Sequence, residues 1–206
     1  MANLAQIEQE ETQCPVWLNR PLPFDGYKYK DYKNWDDGVN VELLEGVPYM
    51  MASPGERHQW LTSDLNKQLR NQLDEYTSQV YSGLDVRLFY EKDETDNTVV
   101  RPDLMVVCDE SKVMDKMNCE GVPDFILEVV SKNSAGKDLV DKKRIYSEAR
   151  VKEFWFVNEG TVFQYILEGA LYMEKEHKLI KGFKLPVSSV DGCCLDFSSY
   201  VVRYKI

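Results

Sequence analysis

The stretch Pro123-Asp124-Phe125-Ile126-Leu127-Glu128-Val129-Val130 decides the fold. From Phe125 onward it is apolar except for one charge, Glu128. Such a run suits a strand covered on both faces, the position of a central strand in a layered sheet. Downstream, Gly136 to Ala149 reads as a helix. Glu153 to Val157, with Phe154, Trp155 and Phe156, reads as a further strand. Strand, helix and strand form one crossover unit, expected to be right-handed.

Upstream, Leu61, Leu65, Leu69, Leu73 and Tyr76 recur at helical spacing after the breaker Ser53-Pro54-Gly55. Val41 to Met51 reads as two strands around the turn signal Glu45-Gly46, and Tyr27 to Trp35 as a helical turn. Strands are expected at Gln79 to Tyr81, Asp85 to Tyr90 and Val99 to Cys108, with Glu91 to Asn97 a loop. Glu159-Gly160 and Glu168-Gly169 punctuate two later hairpins. Outside the crossover unit, antiparallel hairpins are expected. The pattern predicts an α/β domain with a central mixed sheet flanked by helices. Residues 1–26, with Pro15, Pro21 and Pro23, read as an N-terminal arm, and 27–206 as a single domain.

Composition narrows the function classes. The 206 residues suffice for one domain with a substantial core. No apolar run is long enough to cross a membrane, and the polar, acidic start lacks the order of a signal peptide, so a cytoplasmic location is expected. Five cysteines without a CxxC pair, and two histidines, argue against disulfide and zinc frameworks. The net charge of -10 argues against a broad cationic surface for nucleic acid and confines any such contact to a local patch.

Three residues break the pattern. Glu128 sits inside an apolar strand, where a carboxylate is costly unless it is paired or binds a metal. A salt-bridged structural glutamate is the plain alternative. Asp103 follows Pro102 at the head of the apolar run Leu104 to Val107; alone, it reads as a turn or cap residue. On adjacent strands Asp103 and Glu128 would approach within a few Å, and two such carboxylates repel unless a cation or proton lies between them. Lys142 falls near the centre of the stripe formed by Leu139, Ile145, Tyr146 and Ala149, whereas Lys137 and Arg144 fall on the far side. An inward lysine needs an acidic partner or a route for its head to water. Asp138, at the edge of the stripe, could orient that lysine or cap the helix. Glu45 at a turn and His58 at a helix start are weaker signals.

At these residues the chain resembles the PD-(D/E)xK nucleases, and more closely the Uma-type restriction endonuclease family. The stretches are Glu42-Leu43-Leu44-Glu45-Gly46, Ser53-Pro54 with His58, Arg101-Pro102-Asp103-Leu104, Leu127-Glu128-Val129-Val130-Ser131, Asp138-Leu139 with Lys142 and Tyr146, and Glu153-Phe154-Trp155-Phe156-Val157. Their joint order is more specific than any one of them. The general signature places lysine two residues after the acid, where this chain has Val130; the resemblance points instead to Lys142 on the next helix, with Lys132 a weaker substitute.

The resemblance implies a restriction-endonuclease-like fold and metal-dependent hydrolysis of phosphodiesters, with DNA as the expected substrate. Asp103 and Glu128 would hold Mg²⁺ or Mn²⁺ with a carbonyl of Val129 or Val130. Lys142 would act on the water or the developing charge, Glu45 would complete the acidic cluster or pair with Lys142, and His58 would orient the phosphate. Nucleases of this fold often act as homodimers. A catalytically inactive nuclease-fold binding or regulatory module is the alternative, favoured by the acidic charge and the displaced lysine.

Overall fold

The computed structural model describes residues 22–35, 40–73, 77–113, 117–130 and 137–206. Its elements, in chain order, are α1 (Tyr29–Tyr32), β1 (Val41–Leu44), β2 (Val47–Met50), α2 (Glu56–Gln72), β3 (Gln79–Tyr81), β4 (Asp85–Arg87), β5 (Leu104–Val107), β6 (Asn118–Glu120) and β7 (Phe125–Val129). They continue with α3 (Lys137–Glu148), β8 (Glu153–Val157), β9 (Thr161–Glu168), β10 (Leu171–Lys178), β11 (Lys184–Pro186), β12 (Cys194–Asp196) and α4 (Ser198–Tyr204). Most of the proposed arm, and Tyr76 and Lys132, lie outside the described residues.

Six strands form the central sheet in the order β10-β9-β8-β7-β5-β3. The β7–β8 pair is parallel and its neighbours pair antiparallel, so the sheet is mixed as expected. Alternation along β7 divides the core in two. Phe125 and Leu127 join Leu61, Leu65 and Leu69 of α2, Trp155 and Val157 of β8, and the β12–α4 segment. Ile126 faces the other way, with Phe154, Phe156 and the α3 residues Ile145 and Tyr146. Both sides of β7 are thus covered, which is why its sequence reads as continuous apolar residues. Truncating one of the three fully buried α2 leucines to alanine is expected to cost about 2–5 kcal/mol.

Two expectations need correction. The run Val99 to Cys108 is not one strand: Val99 and Val100 make isolated bridges to Leu43 and Val86, and β5 begins only at Leu104. Pro102 has no N–H to give a ladder, so the chain breaks there and leaves Asp103 at the strand entrance. Nor is everything outside the crossover antiparallel, because β4 and β6 pair in parallel. The direction in which β4 and β6 pair depends on how distant segments meet, which no local alternation conveys.

The β1–β2 hairpin turns on Glu45 (φ 51°) and Gly46 (φ 83°), the left-handed pair that a two-residue hairpin requires. Gly46 packs on Gly26 so closely that a Cβ on either would lie 2.8 Å from the other's Cα. This contact, with Tyr27 N–H donating to the Gly46 carbonyl at 2.8 Å, ties the hairpin to the chain entering α1.

Candidate active site

The β5–β7 register sets Leu104 opposite Leu127, and continued by one residue it sets Asp103 opposite Glu128. A hydrogen bond fixes this arrangement: Val129 N–H donates to Asp103 Oδ2 at 2.7 Å. The same oxygen lies 3.0 Å from His58 Nε2, delivered by the first turn of α2. Asp103 also accepts at its backbone carbonyl from Ser82 Oγ, at 2.9 Å.

Glu128 points away from Phe125 and Leu127, to the face of β7 that α3 covers, and the charge of Asp103 acts on it across the strand pair. Lys142 Nζ lies 3.0 Å from Glu128 Oε1 and 2.9 Å from Glu42 Oε1. Tyr146, one turn after Lys142, donates its hydroxyl to the same Glu128 oxygen. Glu42 comes from β1 and also accepts from Arg101 N–H at 2.7 Å. Glu42, Glu128 and Lys142 are 3%, 5% and 6% exposed, so this is a buried ionic cluster and not a surface pair. The helical stripe therefore turns Lys142 inward, while Arg144 faces solvent.

Burial pushes the Glu128 carboxyl up to about 7, against the pull of Lys142; Asp103 and Glu42 push it the same way as burial. Burial and the Glu128 and Glu42 charges likewise raise the Tyr146 hydroxyl. Burial would lower the His58 imidazole, but the hydrogen bond and charge of Asp103 outweigh it and leave the ring above its ordinary value. Three carboxylates, one lysine and one histidine thus share a region richer in negative than in positive charge, the condition that favours a bound cation.

The structure brings Asp103, Glu128, Lys142 and His58 together and leaves Glu45 apart. Glu45 pairs with Arg144, at 2.6 Å and 2.9 Å, on an exposed surface, and the residue beside Lys142 is Glu42. The reason lies in the hairpin: the left-handed turn turns Glu45 outward, while Glu42 lies in a strand whose four residues are all buried. The strand reading placed a charge between Val41 and Leu43, a signal of the same kind as Glu128. The side chain of Asp138, like that of Lys137, lies outside the described residues.

The donor set suits a hard divalent cation. Asp103 Oδ1 and Glu128 Oε2 accept no hydrogen bond among the described residues, so each carboxylate keeps one open oxygen. No trio of His, Cys, Asp and Glu converges in metal-ligand geometry among the described residues. Mg²⁺ needs no such trio, since it is commonly held by one or two carboxylates with waters and substrate phosphate.

A family model described as "Uma2: Putative restriction endonuclease" matches residues 29–188. The chain belongs to the Uma2 family. The matched span holds every residue of the cluster just described, from Glu42 to Tyr146. The fold is similar to the crystal structure of a protein from Anabaena variabilis described as a putative nuclease belonging to DUF820. That likeness has a TM-score of 0.66 and 16% sequence identity, and covers 84% of this chain and 98% of the other. It bears out the α/β, restriction-endonuclease-like fold expected from the sequence. No curated protein sequence matches the chain. Among the described residues, no helix is long and apolar enough to cross a membrane.

Proposed function

We propose that this Uma2 protein is a divalent-metal-dependent nuclease that hydrolyses phosphodiester bonds, with DNA as its substrate. The observation that carries the reading is that Asp103, at the entrance of β5, lies close enough to Glu128 of the neighbouring β7 for their charges to interact, with Lys142 Nζ 3.0 Å from the Glu128 carboxylate. Membership of a family described as restriction endonucleases supports the same chemistry.

Asp103 and Glu128 would hold Mg²⁺ or Mn²⁺ through their open oxygens. The bound cation supplies Lewis-acid polarisation of the phosphate and a more acidic water. Lys142 keeps its ammonium at the buried edge of the cluster, where it offsets negative charge as that charge grows on the phosphate. Glu42 and Tyr146 hold the lysine and Glu128 in place from two elements, β1 and α3. His58, hydrogen-bonded to Asp103, would orient the phosphate.

Plasmid nicking in Mg²⁺ or Mn²⁺ tests the assignment, comparing the wild type with Asp103→Ala and Lys142→Ala. Cleavage by the wild type and loss in both variants is expected. Full activity surviving both substitutions would sink it, and an inert wild type that neither binds Mn²⁺ nor cleaves would favour the inactive-scaffold reading.

A further inference from the structure

A groove of about 660 Å³ opens at Asp103 and His58 and runs along one exposed face of α2. Ser63, Lys67 and Asn71, four residues apart, line it together with Asn66, while Leu61, Leu65 and Leu69 take the buried face. Asp103, at the groove's inner end, is the one carboxylate among the described residues lining it. Against it stand Lys67, Arg70 and His58, so the lining is less acidic than the chain as a whole, which has 35 acidic and 25 basic residues.

The polar side chains of α2 on the strip can all donate hydrogen bonds, and Lys67 and Arg70 can only donate. Lys67 is exposed and has no ion-pair partner among the described residues. Arg70 is fixed at the groove by donating to the Val80 carbonyl at 2.6 Å, and its Nε donates to Asn66 Oδ1 at 2.9 Å. That bond engages the Asn66 oxygen and turns its N–H donors toward other groups. The hydroxyl of Thr62, also on the lining, is buried without a partner among the described residues. Donors along a track that ends at the Asp103 carboxylate call for a ligand rich in acceptors, with its reacting atom at the carboxylate end.

We infer that this face of α2 is the track for one nucleic-acid strand, binding its phosphodiester backbone on one side of the scissile phosphate. The inference rests on the nuclease reading and adds to it where the substrate lies. The helix rises ~1.5 Å per residue, so His58 to Lys67 spans ~14 Å and His58 to Asn71 ~20 Å. At ~3.4 Å of axial rise per nucleotide, that accommodates about four to six nucleotides. The contacts go to backbone and not to base edges, so the track positions the strand without reading its sequence.

The test uses fluorescein-labelled oligonucleotides, single-stranded and duplex, with Lys67→Glu and Lys67→Ala. Lys181→Ala, an exposed lysine away from the groove, serves as control. Binding is read by anisotropy, and cleavage by KM and kcat in Mn²⁺. Lys67→Glu is expected to weaken binding roughly three- to tenfold at low salt. It should raise KM by a similar factor and leave kcat near wild type. Lys67→Ala should lower the slope of log affinity against log salt by about one. The stronger response, in single strand or in duplex, identifies the form that occupies the groove.

Wild-type affinity, KM and salt slope in both Lys67 variants, with cleavage intact, would overturn the track and leave the nuclease reading standing. Equal displacement by a polyglutamate peptide of matched charge would overturn it in favour of an acidic protein partner. Failure of the wild type to bind or cleave any of the oligonucleotides would overturn both readings together.

Discussion

Glu128 and Glu153 sit on the two strands of the parallel pair, and both are buried, yet their surroundings differ in kind. Glu153 faces the α2 side of the sheet. There it accepts from Trp155 Nε1 at 2.7 Å and Gln164 Nε2 at 2.8 Å on one oxygen, and from Ser189 N–H at 2.8 Å on the other. Neutral donors satisfy both oxygens, as a structural carboxylate requires. Glu128 faces α3 among other charges: Lys142 is shared with Glu42, Asp103 lies across the strand, and one oxygen stays open. Burial alone therefore does not distinguish the two carboxylates. What singles out Glu128 as the candidate ligand is a surplus of negative charge with an unused acceptor.

Exchanging the two glutamates for glutamine gives the largest contrast. Glu128→Gln is expected to reduce metal-dependent cleavage to below about a thousandth of wild type, as for other residues that act as a unit. Its fold should persist, because the amide removes a buried charge. Glu153→Gln is expected to do the reverse. It replaces an acceptor with a donor against the ring of N–H groups and lowers stability by about 1–3 kcal/mol in urea unfolding. Activity per folded molecule should be unchanged.

Lys142→Met comes next. It leaves Glu42 and Glu128 facing each other, at a cost of about 3–5 kcal/mol in the metal-free protein. It should also lower kcat about 10²–10³-fold by removing a positive group from the reacting phosphate. Lys142→Arg, which keeps the charge but not the compact head, separates the two effects: stability should recover more than rate.

A smaller effect is expected with pH. In the metal-free folded protein, burial keeps the Glu128 proton up to about 7, against 4.5 ordinarily. The unfolded chain releases that proton at lower pH, so stability from this group is full below 4.5 and is lost as pH rises through about 7. Melting temperatures measured across that window should fall less steeply for Glu128→Gln than for wild type. Glu153→Gln should keep the wild-type slope.

Glu45→Ala is expected to matter least. Its partner Arg144 is exposed, so the loss should stay under about 1 kcal/mol, with cleavage unaltered. Glu42→Ala, by contrast, should impair both stability and cleavage.

The contrast between Glu42 and Glu45 also shows what the sequence could convey. Periodicity located α2 through its leucines, and the apolar runs located β7 and β8, because each pattern spans enough residues for its period to show. Lys142 was legible for the same reason: a charge inside a helical stripe is out of place whatever the helix packs on. Glu42 carries a comparable signal, but the family resemblance points to Glu45 as the upstream acid. Only the docking of β1 against the Arg101 segment and α3, a contact between distant parts of the chain, decides between them. The strands β6, β11 and β12, three residues each, depend on partners far along the chain and leave no local period. Glu153 opens the Glu153-Phe154-Trp155-Phe156-Val157 stretch, and no local pattern marks it as buried because its donors include the distant Gln164 and Ser189.

The most direct test of the account is plasmid cleavage in Mn²⁺ by three proteins at equal folded concentration: wild type, Glu128→Gln and Glu153→Gln. The account predicts nicking by the wild type and by Glu153→Gln, and none above background by Glu128→Gln. Nicking by Glu128→Gln at the wild-type rate would contradict it.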